Sequence, residues 1–243
     1  KVASRGIQLM WTAAAEAAAQ ARLAEVNARD QAGVVIGYHG ETPPLEDLRQ
    51  VFFARSGDEE WDFSTLRQSG YNCFAFLKRK IDLGPAVIAN VFDCRGPSMA
   101  IASACAAGGQ AIGEAYRLIK EEHASVMIAG GCEGSLNYVG ITGFILLKAL
   151  TERYASPQTA SRPFDRKRSG FVLSDGAGAV VLEALEHARA RGAPILGELL
   201  GYGDSTDGYR ITDIHPQAEG AVLAMTRAIE DAGIERDAVE YIN

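Results

Sequence analysis

The sequence predicts an α/β fold, in which helices pack on the faces of a β-sheet. Three times a helical pattern is followed by a short strand-like segment. The helix at 4–28 precedes a strand at 34–37, the helix after residue 105 precedes a strand at 125–129, and the helix at 218–232 precedes a strand at 239–243. Repeated succession of helix and strand is characteristic of α/β proteins. At 243 residues and 47% hydrophobic composition, the chain is long enough to bury a large core.

The first elements follow from periodicity. The opening helix is rich in alanine and is expected to bury one face, formed by Ile7, Met10, Trp11, Ala14, Ala18 and Ala21. A buried strand is predicted at 34–37. Residues 39–66 mix Pro43-Pro44 with charged and aromatic segments, so we expect a long excursion with helical pieces that packs against a partner subunit. A further helix is predicted near 69–81.

Cys105 lies where a short segment of small and apolar residues, expected to be a buried strand, meets an amphipathic helix. The apolar face of that helix carries Ala111, Ile112, Ala115, Tyr116 and Ile119. The cysteine therefore falls at a strand-to-helix turn, beside the free N–H groups and positive dipole end of the helix, which favour a thiolate. Two interpretations stay open from placement alone, a reactive nucleophile and a buried cysteine that acts as a small hydrophobe.

Predicted helices and strands also follow one another in the rest of the chain. Gly130-Gly131 is expected to end the strand at 125–129, and a short helix is predicted at 141–150, before a loop at 151–168. Residues 171–173 and 179–183 are predicted to form a hairpin-like pair of strands. Arg29-Asp30 and Arg236-Asp237 each separate a helix from a strand-like segment, which is what a fold of two related halves would contain.

Charge and cysteine content exclude several classes of function. A net charge of −7 argues against a broad nucleic-acid surface. The sequence carries no secretory signal and no apolar run long enough for a membrane span, so we predict a cytoplasmic protein without membrane contact. Cys73, Cys94 and Cys132 are predicted to be buried fillers, and no CxxC or zinc-ligand spacing is present, so no metal site is predicted. The chain begins within a helix and without methionine, so we expect an earlier segment.

Three motifs occur in an order that resembles a known family. They are Gly-Pro-Ser at 96–98 leading to Ser103-Ala104-Cys105, Ala-Gly-Gly-Cys-Glu at 129–133, and the long run from Ser161 to Gly178. Together they resemble the elongating β-ketoacyl-acyl-carrier-protein synthases, condensing enzymes with the thiolase fold. The resemblance implies two related halves stacked in αβαβα layers. Residues 1–185 would form the first half without its first strand region, and 186–243 would begin the second half.

The resemblance also implies a reaction. Cys105 would accept an acyl chain as a thioester, and decarboxylative Claisen condensation with malonyl-acyl carrier protein would lengthen it, in fatty acid or polyketide synthesis. Acyl carrier protein would be the partner and would deliver the phosphopantetheine arm, with no cofactor bound to the chain itself. The assembly would be a homodimer or a ketosynthase heterodimer. The family's two catalytic histidines would follow residue 243, so we expect no condensing activity from this polypeptide alone.

Further residues receive roles from the same resemblance. Phe144 would lie near the acyl pocket, Phe171 would act as a gate beside the nucleophile, and Thr212 would lie near the phosphopantetheine arm. Lys148 and Arg153 are candidates for docking the acidic carrier protein, because such docking is electrostatic. Each role has a structural alternative. The two phenylalanines could be core aromatics, Thr212 could be an ordinary loop hydroxyl, and the two cations could belong to a solvated charged face.

Two rival functions remain at this point. One is a non-catalytic partner subunit that sets chain length in a ketosynthase heterodimer, and Cys105 argues against it, because such partners lack the nucleophile. The other is a starter-type synthase or acyltransferase that uses coenzyme A substrates. The motif at 161–178 favours the elongating, carrier-protein type instead.

Overall fold

The structure is a computed structural model that describes residues 3–27, 29–53, 55–56, 60–68, 70–71, 74–210 and 213–243. Its helices are α1 (Arg5–Gln20), α2 (Leu45–Phe53), α3 (Phe63–Gln68), α4 (Phe74–Lys78), α5 (Leu83–Phe92), α6 (Ala107–Lys120), α7 (Tyr138–Leu146), α8 (Leu185–Ala190) and α9 (Glu219–Ala232). Its strands are β1 (Ala32–Gly37), β2 (Arg55–Ser56), β3 (Glu60–Trp61), β4 (Ser98–Ile101), β5 (Val126–Glu133) and β6 (Gly176–Glu183). A helix directly precedes a longer strand four times, in the pairs α1-β1, α5-β4, α6-β5 and α7-β6.

Four strands form one mixed sheet in the order β4-β1-β5-β6, while β2 and β3 form a separate small antiparallel pair. Strand β1 runs parallel to both neighbours, with Val34 opposite Ser98 of β4 and Ile128 of β5. Strand β6 runs antiparallel to β5 and places Val181 opposite Ile128. The carboxyl ends of β4, β1 and β5 therefore meet at one edge of the sheet, where the segment after β4 carries Cys105.

The sheet is covered by helices on both faces. One core cluster joins α1 and α5 to Val34, Ile36 and Ile128, and a second joins α6 to Val35 and Met127. Successive strand residues enter opposite clusters, because side chains alternate between the two faces of a strand. This α–β–α arrangement confirms the mixed α/β class.

The opening helix is confirmed but is shorter than predicted. It begins after Ser4, whose side chain caps the helix, and it ends at Gln20. Arg22 adopts a left-handed backbone with φ of 50°, which is incompatible with continued helix. Four predicted apolar positions are buried, but Trp11 is 46% exposed and does not belong to the buried face.

Three expectations for the middle of the chain are wrong. Strand β5 continues through Gly130-Gly131 to Glu133 instead of ending there. Residues 171–173 form no hairpin with 179–183, because β6 pairs with β5, and Phe171 makes only an isolated parallel bridge with Leu150. The helix predicted at 141–150 starts earlier, at Tyr138.

The helix predicted near 69–81 is reduced to α4 among the described residues, and α5, which the periodicity did not reveal, follows it. The strand leading to Cys105 is the edge strand β4, which is only partly buried. Pieces α2 and α3 confirm helical segments within 39–66.

The C-terminal residues contain α9, as predicted, but 239–243 form no strand. Ahead of α9, the segment 201–203 lies close to it, since a Cβ at Gly203 would lie 2.2 Å from the carbonyl oxygen of Ala224. Lys120 of α6 binds Asp231 of α9, with 2.5 Å between Nζ and Oδ1. Both Arg-Asp pairs of the predicted internal repeat lie in short 3-10 turns. The division at residues 185 and 186 stays a prediction.

Candidate active site

Cys105 lies in a sharp turn between strand and helix, as the sequence predicts. Strand β4 ends at Ile101, a 3-10 turn spans Ala104–Ala106, and α6 begins at Ala107. Ala104, directly before the cysteine, has φ of 48°, a left-handed conformation that costs a residue with a side chain roughly 1–2 kcal/mol. Cys105 itself is exposed. The turn therefore presents a thiol to solvent at the carboxyl edge of the sheet, beside a helix N-terminus.

Glycines allow the start of α6 to lie directly on the strand ends. A Cβ at Gly37, the last residue of β1, would lie 2.4 Å from the carbonyl carbon of Ala107 and 2.5 Å from the nitrogen of Gly108. A Cβ at Gly131 in β5 would lie 3.1 Å from the Cα of Gly108. Only residues without a side chain permit this approach. Sequence reasoning missed this role, although Gly37 ends an apolar strand and Gly131 belongs to a quoted motif.

The other described thiols differ from Cys105. Burial, reinforced by the charges of Glu133 and Glu41, raises the pKa of Cys132 to about 12. Burial also raises the pKa of Cys94. Both side chains are half-buried, in accord with packing roles, while Cys73 lies outside the described residues.

The structure brings Phe144 and Phe171 together. Their rings meet edge to face, with 6.5 Å between centroids and an interplanar angle of 80°. The backbone of Phe171 is held by two hydrogen bonds, from its N–H to the carbonyl of Ala149 at 2.8 Å and from the N–H of Thr151 to its carbonyl at 2.9 Å. Gly170 has φ of 142°, and a Cβ there would lie 2.6 Å from the Ala149 carbonyl oxygen.

The predicted docking residues lie on the surface after α7. Lys148 is exposed and has φ of 54°, and Arg153 is also exposed. The nearby Arg162 is half-buried, and its guanidinium donates a hydrogen bond to the carbonyl of Arg153. Thr212 lies outside the described residues.

Two carboxylates that sequence reasoning did not single out hold the connection between β5 and α7. Glu133 Oε1 accepts hydrogen bonds from the N–H groups of Gly134 and Ser135 at 2.8 and 2.9 Å, and its Oε2 lies 2.9 Å from His39 Nε2. Burial opposes ionisation of Glu133, but its hydrogen bonds with Ser135 and His39 outweigh burial and lower its pKa. Asp175 accepts from the N–H of Leu136. The sequence did contain a clue to both residues. Each is a carboxylate next to the end of a strand, Glu133 in the motif at 129–133 and Asp175 in the motif at 161–178.

Within residues 3–27, 29–53, 55–56, 60–68, 70–71, 74–210 and 213–243, no three His, Cys, Asp or Glu side chains lie together so as to hold a metal ion. Over the same ranges, every helix is too short or too polar to cross a membrane.

Two family models match the chain. The one described as "Beta-ketoacyl synthase, N-terminal domain" covers residues 1–188, and "Beta-ketoacyl synthase, C-terminal domain" covers residues 196–243. A 3-oxoacyl-(acyl-carrier-protein) synthase 2 of Synechocystis sp. is 37% identical over 228 residues, 90% of this chain and 50% of the relative. The mitochondrial 3-oxoacyl-(acyl-carrier-protein) synthase of Arabidopsis thaliana is 42% identical over 171 residues, 70% of this chain and 37% of the relative. The chain thus spans between 37% and 50% of the length of these curated relatives.

Solved structures are similar over nearly the whole chain. A β-ketoacyl synthase from Burkholderia phymatum superposes with a TM-score of 0.81 at 30% identity, over 99% of this chain and 56% of that one. A ketosynthase of a type II polyketide synthase, solved in complex with its acyl-carrier protein and bound to the hexaketide, superposes with a TM-score of 0.82 at 27% identity, over 100% of this chain and 59% of that one.

Proposed function

This chain belongs to the β-ketoacyl synthase family, and from that premise we propose that it supplies the acyl-accepting thiol of a β-ketoacyl-acyl-carrier-protein synthase. Cys105 accepts the acyl chain, and the thioester is then condensed with malonyl-acyl carrier protein by decarboxylative Claisen chemistry. The observation that carries this proposal is the exposed thiol in a strained turn at the start of α6. The acyltransferase relatives reported above support it.

The first half-reaction follows from thiol chemistry. The Cys105 sulfur, as thiolate, attacks the carbonyl carbon of the acyl thioester on the phosphopantetheine arm. A new carbon–sulfur bond forms, the bond to the phosphopantetheine sulfur breaks, and that thiolate leaves and takes up a proton. Negative charge on the carbonyl oxygen is stabilised by backbone N–H groups at the start of α6, because the first turn of a helix leaves its N–H groups without intrahelical partners.

In the second half-reaction, loss of CO₂ from the malonyl thioester leaves an enolate, whose carbon attacks the carbonyl of the Cys105 thioester. Thiolates leave readily, so the cysteine sulfur is released as the carbon–carbon bond forms. The acyl chain lies along the Phe144–Phe171 ring pair, whose edge-to-face contact provides an apolar wall.

Acyl carrier protein is the proposed partner and brings the phosphopantetheine arm, with Thr212 beside that arm. Lys148 and Arg153 are exposed cations near α7 and suit an acidic partner. The proposed assembly is a homodimer or a ketosynthase heterodimer, in the cytoplasm. The neighbouring polyketide ketosynthase, solved with its acyl-carrier protein, supports a carrier-protein partner.

Intact-protein mass spectrometry after incubation with an acyl-acyl carrier protein tests the proposal. We expect a mass increase equal to one acyl group, mapped to the Cys105 peptide and absent in Cys105→Ser. Cys132→Ser is the matched control and should acylate normally, since a thiol with a pKa of about 12 is only ~0.01% ionised at pH 8. No acyl adduct on the unmodified protein would refute the proposal and favour a non-catalytic partner subunit.

Charge reversal tests the docking residues separately. Lys148→Glu with Arg153→Glu should raise KM for the acyl-carrier-protein donor about tenfold and leave KM for an acyl-coenzyme A donor unchanged. Arg189→Glu is the control, because that cation lies on α8 and pairs with Glu186. An unchanged KM in the double variant would remove Lys148 and Arg153 from the docking surface.

A further inference from the structure

The connection between β5 and α7 is held by carboxylates at three consecutive backbone N–H groups. Those of Gly134 and Ser135 donate to Glu133, which closes β5. The third, that of Leu136, donates to Asp175 Oδ1 at 3.0 Å. Glu133 belongs to the connection it binds, whereas Asp175 comes from a segment 39 positions further along the chain. Asp175 is therefore one long-range anchor of this connection, beside the contact between Glu133 and His39.

The segment 171–175 is attached to both flanks of α7. At its first residue, Phe171 exchanges backbone hydrogen bonds with Ala149 and Thr151, which follow the helix. At its last residue, Asp175 binds the N–H of Leu136, which precedes the helix. The Asp175 side chain is 16% exposed, and its other oxygen lies 3.6 Å from Arg5 Nε. The segment thus spans the length of α7.

Helix α7 is attached by hydrogen bonds at both of its ends. The rest of the described chain buries none of its residues. Its first turn is capped by the side chain of Asn137, whose amide also donates to the carbonyl of Thr42 at 3.0 Å. The helix carries Phe144, whose ring meets that of Phe171. Asp175 thus holds the start of the helix that carries Phe144 and lies in the same short segment as Phe171.

We propose that Asp175 is a positioning residue that sets the Phe144–Phe171 pair and thereby the length of acyl chain that Cys105 accepts. This inference rests on the proposed function, since it assigns a specificity determinant to the same acyl-accepting site. Asp175 acts through the backbone of Leu136 and does not contact the acyl chain. Its loss leaves the N–H of Leu136 without its partner and removes one of the contacts that hold the start of α7, while the contact between Asn137 and Thr42 remains.

The test is competition between short and long acyl-carrier-protein donors, read as the ratio of the two adducts on Cys105 by intact-protein mass spectrometry. We expect Asp175→Ala to change that ratio about tenfold, the lower end of the roughly 10–200-fold discrimination that one methylene gives in an apolar pocket. Asp175→Asn keeps an acceptor oxygen for Leu136 and should restore the ratio. Arg5→Ala removes only the other contact of Asp175 and should leave the ratio unchanged.

Hydrogen exchange supplies an independent readout. The Leu136 amide should exchange faster in Asp175→Ala than in the unmodified protein, and at the original rate in Asp175→Asn. If Asp175→Ala does not fold, Asp175→Glu keeps the charge, displaces the carboxylate by one methylene, and should shift the ratio in its place. A folded variant with an unchanged adduct ratio would overturn this inference alone, whereas absence of any adduct on the unmodified protein would refute the proposed function.

Discussion

Replacing Gly37 by alanine should impair Cys105 without touching it. The new methyl group would lie 2.4 Å from the carbonyl carbon of Ala107, whereas ordinary carbon contacts are about 3.5–4 Å. The start of α6 must therefore retreat by about 1 Å, and a displacement of that size at a reacting group costs about 100-fold in rate. We expect acyl transfer to Cys105 to slow by about that factor, and overpacking to lower the free energy of unfolding by about 1–3 kcal/mol.

Alanine variants at two further glycines test whether the loss of acylation rate increases with the crowding of the added methyl group. At Gly131 the new methyl would lie 3.1 Å from the Cα of Gly108, so its variant should be mildly impaired. At Gly178, in β6, none of the described residues apart from its chain neighbours has an atom within 4 Å of the added methyl, so its variant should behave like the unmodified protein. Acylation is measured by mass spectrometry, and urea unfolding shows that each variant is folded. A folded Gly37→Ala variant that acylates at the original rate would refute the argument that these glycines position the thiol.

Two other predictions concern stability. Glu183→Ala should lower the free energy of unfolding by about 3–5 kcal/mol in urea titrations, because the Arg191 side chain, 13% exposed, loses both oxygens of its carboxylate partner. Glu186→Ala, at an exposed pair, should cost under about 1 kcal/mol, and equal losses would contradict the role of burial. Burial raises the pKa of Tyr38 from 10.0 to about 12, so this residue contributes stability below pH 10 that is lost as pH rises through 12, roughly 3 kcal/mol in all. Unfolding across that range should show the loss, and Tyr38→Phe should lack this contribution; an identical pH dependence in both proteins would disprove it.

Local patterns were sufficient where an element's signal is complete within its own residues. The opening helix, β1 and α9 each carry an uninterrupted apolar periodicity, and the turn at Cys105 follows from a strand pattern that meets a helix pattern. Element ends were less predictable. Helix α7 starts at Tyr138 because Asn137 caps the N–H groups of Val139 and Gly140, which apolar spacing does not reveal.

The sequence did not reveal which distant segments pair with one another in the sheet. Residues 171–173 have the composition of a strand, yet the neighbour of β5 is β6, and 239–243 form no strand although their composition favours one. A strand exists only with a partner, and periodicity within one segment does not say which other segment supplies its hydrogen bonds.

For the candidate site, the sequence alone determined the thiol, its strand-to-helix turn and the family to which the chain belongs, because these depend on the order of residues in short motifs. The tertiary structure decided the rest: that Gly37 and Gly131 admit the start of α6, that Phe144 meets Phe171, and that Asp175 holds the N–H of Leu136. Each of these is a contact of a few ångströms between residues far apart in the chain. Such contacts arise from how the sheet and helices pack, which no single stretch of sequence encodes.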